Sequence, residues 1–338
     1  MSSSPIHPDT AAIRTLALVG QTASGKTSLA EALLHRSGAI GAPGSLERGT
    51  TVSDFDPMER RAQHSLNSAC LHLKHRGTRV HLIDTPGYAD FVGQSMTALE
   101  AVDTAAVVVN AATGIEMMSV RMMQWAKARE LCRIIVVNKI DAQGVNLAAL
   151  LEQLRETFGK ECLPLNLPAA GGTKVIDCFF NTEGQSDFGS VADTHRALVE
   201  QVVEVDPEFV ERYLNEGDVD SRELHAPLEQ ALREGHLIPV LFVSARNGAG
   251  VAELLDAIDL LLPNPAEGNP PQFYKGEGAA AKELHADPNP AKHVIAHVFK
   301  VTVDPYVGKM GVFRIHQGTV TKDSALYIGD GRKPFKVG

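Results

Sequence analysis

The chain has 338 residues, a length that suits two or three domains. Hydrophobic residues make up 44% and charged residues 22%, the balance of a globular chain with enough apolar side chains for a sizeable core. A net charge of −9 argues against coating nucleic acid by charge alone, and no run of about 18 apolar residues marks a membrane helix.

Residues 1–12 lack the basic and apolar segments of a secretory signal and read as a disordered lead-in. Residues 15–19 form an apolar run that ends in a Gly-rich turn. A helix is expected over 27–34, with Leu29, Ala30, Leu33 and Leu34 on its inner face. Residues 68–74 and 79–84 alternate as a strand pair joined at Arg76-Gly77. The continuous apolar runs 105–111 and 133–138 suit buried parallel strands, with a helix over 119–130 between them. A strand over 237–244 and a helix over 251–262 follow. This alternation predicts an α/β fold with a doubly wound, mostly parallel sheet, spanning residues 13–265.

A stretch from about residue 162 to 234 breaks the rhythm and reads as a subdomain inserted between two core strands. It carries an acidic helix over 202–223 with a solvated face. Residues 266–290, rich in Pro, Gly, Asn and Ala, read as a linker. Short strands separated by glycines over 291–338 suggest the start of an all-β barrel, truncated because a closed barrel needs more chain. Cys70, Cys132, Cys162 and Cys178 form no Cys-x-x-Cys pair and read as buried reduced thiols. His72, His75 and His81 read as exposed polar-face residues rather than metal ligands, and Met117, Met118, Met122 and Met123 as core packing of one helix.

Gly20-Gln21-Thr22-Ala23-Ser24-Gly25-Lys26-Thr27 matches G-x-x-x-x-G-K-[ST] between a strand and a helix. Its glycines let backbone N–H groups turn inward around phosphates, and the helix start, with Ser28, faces the anion with its positive dipole end. Lys26 adds a charge between the β- and γ-phosphates, and the Thr27 hydroxyl suits Mg²⁺. Asp84-Thr85-Pro86-Gly87 follows the next strand: Asp84 suits Mg²⁺ through a water, and the Gly87 N–H suits a γ-phosphate. Asn138-Lys139-Ile140-Asp141 ends another buried strand. The Asp141 carboxylate accepts from guanine N1 and N2, donors that adenine lacks; Asn138 suits N7 and Lys139 the base face. Ser244-Ala245-Arg246 ends the last core strand, with the Ala245 N–H a candidate partner for guanine O6. These motifs specify GTP/GDP with Mg²⁺.

In that order the motifs resemble the translational GTPases, specifically elongation factor G, over residues 15–338. The run Ile83-Asp84-Thr85-Pro86-Gly87-Tyr88-Ala89-Asp90-Phe91 is similar to that family's I-D-T-P-G-H-V-D-F. The resemblance implies a GTP hydrolase acting as a conformational switch on the ribosome (rRNA and ribosomal proteins). It also implies a cytoplasmic monomer without membrane or DNA partners, and a catalytic set of Tyr88, Gly87 and Lys26. The sequence departs from the family in three places. Tyr88 replaces the family's His, and a phenol is a poor base near neutral pH. Ala62-Gln63-His64-Ser65-Leu66 replaces R-G-I-T-I, so Ser65 takes the place of the metal-ligating threonine. Ser24 replaces an Asp of the phosphate loop. Two alternatives stay open: a GTP-dependent ribosome-binding module with little or no hydrolysis, and a regulatory GTPase outside translation.

Overall fold

A computed structural model describes residues 8–216, 223–276, 278, 281–304, 306–329, 331 and 333–337. In chain order the first half contains α1 (Pro8–Ala11), β1 (Ile13–Val19), α2 (Lys26–Arg36), α3 (Pro57–Ala62), β2 (Ala69–His75), β3 (Thr78–Asp84), a 3-10 turn (Ala89–Phe91), α4 (Val92–Leu99), β4 (Thr104–Asn110), α5 (Met117–Ala128) and β5 (Cys132–Asn138). Then come α6 (Leu147–Phe158), β6 (Cys162–Pro164), β7 (Asn166–Ala169), β8 (Lys174–Asp177), α7 (Val191–Val203), α8 (Pro207–Glu216), α9 (His225–Glu234), β9 (Ile238–Phe242) and α10 (Val251–Leu260). The remainder is β10 (Phe273–Lys275), β11 (Lys282–Leu284), β12 (Ile295–Asp304), β13 (Gly308–Gln317), β14 (Ala325–Leu326) and β15 (Phe335–Lys336). Most of the lead-in expected at the N-terminus lies outside the described residues, and its last part, Pro8–Ala11, is a helical turn. Among the described residues no helix is long and apolar enough to cross a membrane.

Residues 12–269 form one unit around a seven-stranded sheet in the order β2-β3-β1-β4-β5-β9-β6. β2 pairs antiparallel with β3, and every other neighbour in the sheet is parallel. β4 is buried along its whole length, which is why it reads as an unbroken apolar run. β2 alternates because one face meets the core through Leu71 and Leu73 while Cys70, His72 and Lys74 face outward. The expectation of four buried thiols therefore fails at Cys70, which is exposed, while the other three are buried and all four are free. The methionine expectation fails at one position: Met122 and Met123 are buried, whereas Met117, at the helix start, is 70% exposed.

The inserted stretch begins inside the sheet. β6 hydrogen-bonds in parallel to β9 and is the edge strand, so the boundary at about residue 162 came too early. The segment after it is not a separate body: Leu167, Phe179, Leu198, Val202 and Leu228 share the main hydrophobic cluster with Val136, Leu241 and Leu254. The acidic helix expected over 202–223 is broken. α7 ends at Val203, and α8 restarts at Pro207, where the Asp206 carboxylate accepts from the Glu208 N–H at 2.9 Å. Residues 217–222 of that expected helix lie outside the described residues.

A second unit takes in residues 270–338. The expected linker contains a β-ribbon, β10 with β11, and the expected barrel is represented among the described residues by two further two-stranded ladders, β12 with β13 and β14 with β15. Proline and glycine content misled here because strands of three residues carry almost no periodicity.

One side chain stitches the inserted stretch to the sheet. Asn166 is buried, donates from Nδ2 to the Phe242 carbonyl (3.2 Å) and accepts from the Phe242 N–H (2.7 Å). Asn166→Ala leaves both groups unpaired in the core and should lower unfolding free energy by about 2–3 kcal/mol in urea denaturation.

Candidate nucleotide and metal site

β1 lies between β3 and β4, so the chain leaves it first to one side and later to the other. The crevice at the carboxyl ends of the strands on either side of such a reversal is where an open α/β sheet binds ligands. The expected site residues gather there. β1 opens into the loop at residues 20–25, Asp84 ends β3, and Asn138 ends β5 in register with Asn110 of β4.

The loop is held from below. Gln21 is 1% exposed; its Nε2 donates to Thr113 Oγ1 (3.1 Å) and the Gly114 carbonyl (3.0 Å), and its Oε1 accepts from the Ser119 hydroxyl. Ser24 Oγ donates to the Gln21 carbonyl at 2.9 Å. Gly25 sits at φ +88, where any Cβ would strike the Asn138 amide. Ala23 and Ser28 are exposed and Thr22 is half-buried. Lys26 is buried at the first position of α2, with Nζ donating to the carbonyls of Gly20 (3.0 Å) and Gln21 (2.6 Å). Burial pushes its ammonium pKa down to about 8, against the pull of Asp84.

Four oxygen-bearing side chains meet beside it. Thr27 Oγ1 donates to Asp84 Oδ2 at 2.7 Å and lies 3.3 Å from Ser65 Oγ, which donates to Asp54 Oδ1 at 2.7 Å. Asp84 is 1% and Asp54 3% exposed, yet Asp84 Oδ1 and Asp54 Oδ2 have no hydrogen-bond partner. The Ser53 and Thr51 hydroxyls lie near enough to favour the ionised carboxylates, but outside hydrogen-bond geometry. Burial raises the Asp84 carboxyl to about 6, with Asp54 adding to the shift and Thr27 and Lys26 opposing it; burial also raises Asp54. Two buried carboxylates with orphaned oxygens beside two hydroxyls form an all-oxygen set that fits a hard divalent cation. Among the described residues no group of three or more His, Cys, Asp and Glu offers a competing metal site.

Sequence reading missed three of the carboxylates that build this region. Asp54, in a polar loop before α3, matches no motif. Glu31 projects from α2 and accepts from the N–H groups of Gly44 (2.7 Å) and Val52 (2.6 Å); Glu59 accepts from those of Leu66 and Asn67, both at 2.9 Å. Both are nearly fully buried: Glu31 ties the loop that carries Ser65 to α2, and Glu59, on α3 within that loop, ties its two limbs together. A glutamate within the apolar stripe of α2 was the available signal. Gly87 packs directly on the phosphate loop: a Cβ there would lie 2.6 Å from both Thr22 N and Lys26 Nζ. Tyr88, next to it, is 42% exposed, with its ring centroid 4.6 Å from that of His64.

On the other side, Asn138 is the hub. Its Nδ2 donates to the Ser24 carbonyl (3.0 Å), and its Oδ1 accepts from the N–H groups of Lys139 (2.8 Å) and Ala245 (3.1 Å). The Ala245 N–H, expected to face a base O6, is thus engaged by Asn138. Lys139 Nζ reaches the Ala23 carbonyl at 2.9 Å. Ser244 is buried, Arg246 is exposed, and Asp141 is half-buried with no hydrogen-bond partner among the described residues.

A glycine-rich loop running from a central parallel strand into a helix defines a P-loop domain. The chain belongs to the elongation factor Tu GTP binding domain family, whose model matches residues 11–264. Within that family it is a divergent relative of elongation factor G. It is 34% identical over 329 residues to an elongation factor G-like protein of Mycobacterium tuberculosis, covering 94% of this chain and 46% of that protein. Elongation factor G 2 of Streptomyces coelicolor is 30% identical over 344 residues, covering 96% and 49%. A crystal structure of a protein from Thermus thermophilus superposes with a TM-score of 0.78 at 33% identity, covering 96% of this chain and 50% of that one. The chain therefore spans about half the length of the curated relatives it matches.

The Asp84 shift has a definite sign. Its folded-state pKa stands above the ordinary value of 3.8, at about 6, so stability falls as pH rises between the two and the penalty is fully present at pH 7. Asp84→Asn should stabilise the ligand-free protein at pH 7 by about 1–3 kcal/mol. The gain should vanish near pH 3.8, where the folded-state carboxyl is protonated and the penalty is gone. Urea denaturation at both pH values checks this.

Proposed function

We propose that the chain binds GTP and GDP with Mg²⁺ in this site and hydrolyses GTP as a ribosome-linked conformational switch. The observation that carries the reading is the pair of buried, partly unpaired carboxylates, Asp54 and Asp84, set against the hydroxyls of Thr27 and Ser65. Lys26 exchanges the Gly20 and Gln21 carbonyls for the β- and γ-phosphates, which the N–H groups of residues 20–27 cradle. Thr27, Ser65 and Asp84 would hold the metal. Bound Mg²⁺ supplies positive charge that offsets the charge on the phosphates. The Gly87 N–H donates to the γ-phosphate. Asp141 accepts from guanine N1 and N2, and Asn138 keeps the base-side loops and the phosphate loop in one rigid frame. Loss of the γ-phosphate releases Ser65 and Gly87 together, and with them the loops that a partner reads.

Relatives bear the names elongation factor G-like protein and elongation factor G 2; in this reading the partner is the ribosome and the protein acts as a cytoplasmic monomer. A second reading has one observation in its favour. The Tyr88 ring is half in solvent and packs on His64, and a phenol is a weak base, so the chain would bind GTP and the ribosome with little hydrolysis. Single-turnover GTP hydrolysis in the full-length protein, with and without ribosomes, separates the two. A switch that hydrolyses shows a ribosome-stimulated rate and GTP-dependent co-sedimentation. Co-sedimentation without hydrolysis selects the binding module, and neither signal removes the ribosome from the proposal.

A further inference from the structure

Position 64 lies where the two loops beside the phosphate site meet. Gln63, at φ +55, ends α3 and turns the chain, so that Ser65 points inward to Thr27 and Asp54 while His64 stands half-buried at the rim. The His64 ring packs against Tyr88 (centroids 4.6 Å apart) and approaches Phe91 (6.2 Å). Tyr88 directly follows Gly87, which rests on Thr22 and Lys26. His64 is thus one residue from a metal-facing hydroxyl on its own loop and in ring contact with the residue beside the γ-phosphate contact on the other.

Its hydrogen bond sets its chemistry. Nδ1 lies 3.3 Å from the Ser65 carbonyl oxygen. A carbonyl only accepts, so Nδ1 carries the proton in this contact, and in the neutral ring Nε2 is left as an acceptor. A hydrolytic site of this kind needs an acceptor that orients the attacking water.

We propose that His64 orients the attacking water through Nε2, with Tyr88 and Phe91 fixing the imidazole plane. This rests on the reading of the site as a GTP hydrolase. In the step, the water oxygen bonds to the γ-phosphorus, and the bond from that phosphorus to the bridging oxygen breaks with its electron pair leaving on GDP. The water protons pass to the phosphate product and to solvent. His64 accepts a hydrogen bond and keeps no proton.

The test is single-turnover GTP hydrolysis in the full-length protein with ribosomes, comparing wild type with His64→Ala, His64→Phe and His64→Gln, alongside equilibrium GTP binding. His64→Ala and His64→Phe should slow hydrolysis on the order of 100-fold, with GTP affinity within about twofold of wild type because the residue acts on the water. His64→Gln, which keeps an acceptor, should recover part of the loss. His64→Phe hydrolysing at the wild-type rate would overturn the proposal, because ring packing on Tyr88 would then be the whole role. His64→Ala at the wild-type rate would overturn it too. In either case the GTPase reading stands, whereas a wild type that binds GTP and never hydrolyses it removes both.

Discussion

Asp54 and Asp84 are buried beside one another, and each keeps an oxygen without a partner. Placing two carboxylates in a low-dielectric pocket is unfavourable unless something positive joins them. The rest of the site is arranged around that unfavourable pair. Lys26 lies within Coulombic reach but directs its protons to backbone carbonyls. Thr27 and Ser65 each satisfy one oxygen, leaving the other pair of oxygens open. A cation accompanied by phosphates would relieve the carboxylates and draw Lys26 away from the loop in a single event. In the proposed function, the carboxylate pair is what couples nucleotide occupancy to the loop that carries Ser65.

That loop is not free-standing. Glu31 holds its entry from α2 through the Gly44 and Val52 N–H groups, and Glu59 on α3 binds the Leu66 and Asn67 N–H groups, closing the loop on itself while Asp54 and Ser65 face the site. Asn138 provides the matching anchor on the base side, tying the phosphate loop to residues 139 and 245 with one buried amide. A site held by a few buried polar hubs can respond to one phosphate group without losing its frame.

Much of this was legible in the sequence because the strongest signals are local. Unbroken apolar runs become β4 and β5, and the glycine and lysine spacing of the phosphate loop is imposed by backbone geometry at Gly25 and by the start of α2 at Lys26. What escaped depends on distant partners. β6 has three residues and becomes a strand only by pairing with β9, 76 positions away in register (Cys162 with Ile238). Cys70 has apolar neighbours but lands on the outer face of an alternating strand. Asp54 is one acidic residue in a polar loop, and its meaning appears only when Ser65, eleven positions later, folds back onto it. The engagement of the Ala245 N–H by Asn138 likewise spans 107 positions.

The most direct measurement is equilibrium titration of the full-length protein with GTP and with ATP, each in excess Mg²⁺ and again in a chelator. A site built on Asp54, Asp84 and Asp141 predicts saturable GTP binding that weakens sharply when Mg²⁺ is removed, with ATP bound at least about 100-fold more weakly, because adenine leaves the Asp141 carboxylate desolvated and unpaired. Equal affinity for the two nucleotides, or GTP affinity indifferent to the metal, would contradict it.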